Sequence, residues 1–310
     1  MSRIDDLRKR LEALNRGPLE IRPASELGGE EQALRRRLRE GRRRGGAGDG
    51  PIVFRRDLPR RAPAPPPVLG EAGPHVELDA AVTDGAPAPD GSGVFIVQRR
   101  PAERGAEWEG LCLSLRRCVA SRGSGLWPQL EHVGVGGDLR PEDLLFLDLE
   151  TTGLTSTPLF LVGTMVWEGG GLVTRQFFAR DYSQEPAVVE MFLREAAGKR
   201  LLVSFNGKTF DVPYVRARAA ATGVPCRFDP PHLDLLHAAR RAWRARLPDC
   251  RLQTLERWIC GRTREGDIPG HLIPEAYHEY VRTGNAARMA AVIEHNYLDL
   301  LTMADLITRM

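Results

Sequence analysis

The chain has 310 residues and a formal net charge of +3. Its length holds one large domain or two small ones, and its apolar content is enough for a sizeable core. The five cysteines (Cys112, Cys118, Cys226, Cys250, Cys260) include no pair at the two-residue gap of a zinc knuckle or dithiol motif, and no segment approaches the ~20 apolar residues of a membrane span. Residues 1 to 16 are charged and carry no apolar signal core. The expectation is a soluble cytoplasmic protein with free thiols.

The charge is unevenly spread. Residues 35 to 61 contain eleven arginines, whereas lysine occurs only at 9, 199 and 208. Residues 4 to 16 have the apolar spacing of a short helix through Ile4, Leu7, Leu11 and Leu14. Residues 17 to 90 are rich in Pro, Gly, Arg and Ala. That composition buries too little apolar surface to offset chain entropy, so residues 1–90 read as a mostly disordered basic arm, of which only short pieces are expected to dock on the domain. The arm either neutralises phosphates or is a tail that reflects base composition.

From Gly93 the texture changes. Residues 91–140, with a strand at Val94 to Gln98 and a further element at Leu111 to Leu115, read as an N-terminal extension of the core domain, residues 141–310. That domain opens with a strand over 144 to 149. Strands at Leu159 to Trp167 and Leu172 to Ala179 flank a Gly-rich loop and read as a hairpin. A helix is predicted from Pro186 to Ala197, a strand from Arg200 to Phe205, and a helix from Thr209 to Ala221 with Thr209 as N-cap. Helices follow at His232 to Arg246, Leu252 to Ile259, Pro274 to Arg282 and Asn285 to Thr308. Three antiparallel strands, then alternating helix and strand, specify an α/β fold with a mixed sheet.

Three segments carry chemistry. On the first strand Asp148 and Glu150 point the same way, because side chains alternate. Paired carboxylates at the end of an apolar strand suit hard divalent cations; a solvated strand end is the plainer reading. Ser204 to Pro213 is a strand-to-helix turn with Asn206-Gly207 at its tip and Asp211 in the first helical turn, where the helix dipole favours an acid. On the last helix His295 and Asp299, four residues apart, share a face.

Asp-x-Glu on a first strand, Asn-Gly-x-x-Phe-Asp on a turn and His-x-x-x-Asp on a late helix resemble the three motifs of the DEDD exonuclease superfamily. "DLLFLDLETTGL", "SFNGKTFDVPYV" and "EHNYLDLLTMADL", with the stretches between them, resemble the YprB-type ribonuclease-H-like proteins over roughly residues 140 to 310. The resemblance implies a ribonuclease-H-like fold. It implies a 3′-5′ exonuclease acting on DNA or RNA, with a single-stranded end as substrate and two Mg²⁺ or Mn²⁺ ions in a two-metal mechanism. By position, Asp148, Glu150, Asp211 and Asp299 become the metal-binding acids. The departure is at the base: one branch of the superfamily has Tyr four residues before the last Asp and the other His five before it, whereas here His295 holds the Tyr spacing and Glu294 the other. His295 is read as the group that orients or deprotonates water, or as a contact to the scissile phosphate. The swap keeps open a nucleic-acid-binding or scaffold module with weak or lost catalysis.

Four further residues are candidate nucleic-acid contacts. Thr151 and Thr152 either meet the substrate or close a turn; Asn206 either meets nucleic acid or sits left-handed in its turn; Lys208 either meets phosphate or is simply solvated. Asp234 reads either as a secondary acid near the metals or as an acid near the start of a helix, and Arg262 to Gly270 either as a charged loop lining a substrate groove or as a surface loop. Protein partners are not legible.

Overall fold

A computed structural model describes residues 69–70, 73–153 and 157–310. The helix expected over 4–16 and the arginine-rich stretch lie outside the described residues. Among the described residues, those of 69–235 and 267–310 form one compact unit and 236–266 belong to another.

The larger unit is built on a seven-stranded mixed sheet. Its strands are β1 (Gly85–Pro87), β2 (Phe95–Arg99), β3 (Leu144–Thr151), β4 (Leu159–Glu168), β5 (Gly171–Phe178), β6 (Leu201–Ser204) and β7 (His232–Asp234). Their spatial order is β1-β2-β5-β4-β3-β6-β7. β3, β4 and β5 form the expected antiparallel meander, and β6 joins β3 in parallel. At the hairpin Glu168 pairs with Gly171, leaving Gly169 and Gly170 at φ 61° and 84°. A two-residue turn of this hand needs positive φ at both positions, which glycine adopts without strain.

Two boundaries differ from the sequence expectation. Residues 73 to 90 fall within the predicted arm, yet they supply α1 (Leu78–Ala81) and β1. Leu78, Val82 and Ala88 are buried there, and β1 pairs with β2, which pairs with β5. A composition averaged over 17 to 90 hides these few apolar anchors. Second, residues 232 to 234 are a strand parallel to β6 rather than the start of a helix. Three residues are too few for either period to show.

Helices α2 (Ala106–Ala120), α3 (Leu126–His132), α4 (Glu185–Ala196), α5 (Asp211–Thr222), α8 (Ile273–Thr283) and α9 (Met289–Thr308) complete this unit. α9 lies across β3, β4 and β5, and α2 packs on α9. That placement accounts for the buried apolar face of α9, where Val292, Ile293, Leu300, Leu301 and Ile307 are all fully buried. α4 packs on β4 and β5, and α5 on β3. Tyr277 of α8 stacks on Phe160 of β4 with centroids 3.9 Å apart.

In the other unit, residues 236–266 hold most of α6 (Leu235–Trp243) and α7 (Leu252–Leu255), which continues into a π-turn at Glu256–Cys260. Glu256 is buried and accepts from the buried Arg264 at 2.7 Å. Buried charges persist when paired in this way. Arg264 is therefore a structural ion-pair partner, not part of an exposed loop. No helix among the described residues is long and apolar enough to cross a membrane.

Candidate active site

β3 brings the first two acids to its carboxyl end. Its core-facing neighbours Leu147 and Leu149 are buried, and Asp148 and Glu150 are half-buried on the opposite face. A bulge after Glu150 shifts the register against β4 and ends the regular pairing. Asp211 opens α5 and is buried. Asp299 lies on α9, four residues after His295, with its carboxylate 3.7 Å from His295 Nε2.

The turn that delivers Asp211 is held from outside. Asp234, at the end of β7, accepts from Asn206 N at 2.8 Å and Lys208 N at 3.1 Å. Its role is to fix this turn, a task no spacing rule assigns to it. Asn206 is left-handed at φ 68°, the one non-glycine residue so placed among the described residues. Thr209 does not cap α5. Its hydroxyl turns back to Asn206 O and Oδ1, and Phe210 holds the N-cap position with no side-chain bond. Gly207 allows the close approach, because a Cβ there would strike Ser204 Oγ and stand 2.9 Å from Asp211 Oδ2.

α9 contributes two further polar residues. His295 Nδ1 is 2.8 Å from Asp267 Oδ1, with both side chains nearly sealed from solvent. Asp267 comes from the stretch read as a surface loop; burial against a ring nitrogen corrects that reading. Asn296 is fully buried and donates to Asp148 Oδ2 at 2.7 Å. Neither contact was legible, because both partners are distant in sequence.

The acids act on one another. Asp148 is held well above the usual carboxylate range, first by desolvation and then by the charges of Asp299, Glu150 and Asp211; His295 works the other way. Burial likewise pushes Asp211 up to about 8, with Asp234 and Asp299 adding to the rise while main-chain N–H groups of Asp211 and Leu149 oppose it. The charges of Asp299, Glu150 and Asp211 thus converge on the Asp148 carboxyl. Among the described residues no group of three or more His, Cys, Asp or Glu side chains is closed up enough to grip an ion as it stands. The donor set nevertheless fits a hard divalent ion: its oxygens are anionic, and added positive charge would relieve the repulsion that raises Asp148.

The remaining candidates are placed as follows. Thr151 Oγ1 donates to Gly153 O and Thr152 Oγ1 to Pro158 O, so both hydroxyls close the loop after β3. Tyr214 Oη, on α5, lies 2.7 Å from Thr157 O and 3.2 Å from Gly153 O, so its single proton ties the same loop. Lys208 is exposed beside Asp211's turn.

Residues 145–310 match the family model of the RNase_H superfamily, and that span contains every acid of the site. The chain belongs to the RNase_H superfamily. Its fold is accordingly of the nuclease type. Within the superfamily, the chain is 31% identical over 192 residues to the uncharacterized protein YprB of Bacillus subtilis (strain 168), covering 60% of this chain and 46% of that one. The chain therefore spans less than half of that relative's length. It also overlaps part of the family B DNA polymerase from the hyperthermophilic archaeon Pyrobaculum calidifontis, at 18% identity and a TM-score of 0.46, covering 56% of this chain and 25% of that one.

Proposed function

We propose that the chain is a metal-dependent nuclease that hydrolyses phosphodiester bonds of DNA or RNA, acting 3′ to 5′ from a single-stranded end. The observation that carries this reading is that the charges of Asp299, Glu150 and Asp211 all bear on the desolvated Asp148 carboxyl. Such crowding is costly unless cations offset it. In this reading the four acids would hold the two Mg²⁺ or Mn²⁺ ions. When bound, such ions lower the pKa of water and stabilise charge on phosphoryl oxygens.

The chain's own residues supply the rest. His295 takes the proton of the attacking water at Nε2. Asp267 accepts from Nδ1–H, which fixes the ring and leaves Nε2 as the acceptor. Lys208 meets a substrate phosphate. Thr151, Thr152 and Asn206 shape the loops on either side of the acids, whose main chain then faces the strand. The direction of attack and the requirement for an end follow from the resemblance to the DEDD exonucleases.

The test compares three Mn²⁺ reactions: a linear oligonucleotide with a free 3′ end, the same strand with a 3′ block, and a closed circle. Shortening of the first alone supports the exonuclease. Cleavage of the circle replaces it with an endonuclease on the same acids. Salt-sensitive binding without cleavage of any substrate replaces it with a binding module.

Gly207→Ala tests the geometry separately. The new Cβ would push on Ser204 and Asp211. A displacement near 1 Å costs about 100-fold in rate, so a loss of that order is expected with helix and strand content unchanged by circular dichroism.

A further inference from the structure

Asn296 sits between two strands' polar side chains and has no contact with solvent. Asp148, Gly163 and Gln176 occupy one line across β3, β4 and β5, each paired with the next. Side chains directly opposite one another project to the same face, so Asp148 and Gln176 both point toward α9, with a gap over Gly163 between them. Asn296 fills that gap. Its Nδ2 donates to Asp148 Oδ2 at 2.7 Å and to Asp148 O at 3.2 Å. Its Oδ1 accepts from Gln176 Nε2 at 2.8 Å, and Gln176 Nε2 also donates to Ile293 O at 2.7 Å. The amide has one workable orientation, since the reverse would set its oxygen against a carboxylate and its NH₂ against a donor. A Cβ on Gly163 would strike Asn296 Oδ1.

We infer that Asn296, held by Gln176 and admitted by Gly163, is a positioning residue that fixes the Asp148 carboxylate for metal binding. Both amide hydrogens go to Asp148, one to the side chain and one to the main chain. Oδ2 is tied, which restrains rotation about the Cβ–Cγ bond and would leave Oδ1 free for an ion. A buried apolar side chain in place of Asn296 would leave the carboxylate free to turn and without its donor. Partners that orient a ligand in this way are worth about 10- to 100-fold in metal affinity.

The inference rests on the metal-binding reading above, so its test measures ion binding and does not depend on turnover. Mn²⁺ binding is followed by titration calorimetry for the full chain and for Asn296→Leu, Gln176→Leu and Gly163→Ala, each checked by circular dichroism. Asn296→Leu is expected to bind Mn²⁺ about 10- to 100-fold more weakly. Gly163→Ala is expected to do the same without altering any polar group, and Gln176→Leu to weaken binding by less. Wild-type affinity in folded Asn296→Leu would overturn the inference and leave the metal site standing. If Asn296→Leu does not fold, unchanged affinity in both Gln176→Leu and Gly163→Ala overturns it. No Mn²⁺ uptake by the wild type would overturn the metal-binding reading, and the inference with it.

Discussion

Asp148→Asn is expected to abolish cleavage while making the metal-free protein more stable. The two effects have one cause. Asp148 is desolvated and faces the charges of Asp299, Glu150 and Asp211. Removing its charge lifts that repulsion but takes away one carboxylate of the proposed cation site. Loss of preorganised charge stabilisation at a reacting phosphorus costs about 10³-fold or more. The gain in stability reads as a rise in Tm of about 2–4 °C for each kcal/mol relieved in a domain of this size. The pH dependence has a definite sign. Asp211, raised from 3.8 to about 8, favours the neutral carboxyl in the folded state. Its cost is absent below the ordinary carboxylate range and complete above its folded value. Metal-free wild type should therefore lose stability as pH rises between those limits, and Asp148→Asn should lose less. Thermal melts at several pH values, with and without Mn²⁺, check this. Mn²⁺ should raise Tm for the wild type and not for the variant. A Tm lowered by Asp148→Asn in the metal-free protein would contradict the account of the acidic field.

His295→Ala is expected to lower the rate by about 10²- to 10⁴-fold, the range for removing a general base, with substrate binding preserved. The neutral-pH limb of the rate profile should vanish with it. Asp267→Asn should give a smaller loss, because it weakens the acceptor 2.8 Å from Nδ1 that orients the ring. If His295→Ala left the rate and its pH profile untouched, the ring would have no proton-transfer role. The Asp267–His295 pair also bears on the unusual spacing of this motif. A histidine one residue away from the family's histidine position turns about 100° around an α-helix and would need its own orienting partner. Asp267 supplies one from a separate segment.

What was legible in the sequence is what local periodicity and turn chemistry control. Alternation put Asp148 and Glu150 on one face, and the structure keeps them there. Asn206-Gly207 marked the turn before α5, and the Gly-rich loop marked the hairpin. The parts that were not legible depend on distant partners. Asp234 read as a helix acid because a three-residue strand leaves no period, and its two hydrogen bonds reach back 28 and 26 residues. Asn296 carries no spacing signal of its own. Its partners lie on two different strands, and the glycine that admits it looks like any small residue in an apolar run. Thr209 was read as an N-cap from residue type alone, but the left-handed Asn206 offered its hydroxyl a nearer pair of acceptors.

The most direct test follows a 5′-labelled single-stranded DNA and its RNA counterpart in Mn²⁺ or Mg²⁺, with wild type beside Asp148→Ala. The account predicts a ladder that shortens from the 3′ end on at least one substrate, requires the ion and is absent in the variant. Equal cleavage by Asp148→Ala, or intact substrates with every ion, would contradict it.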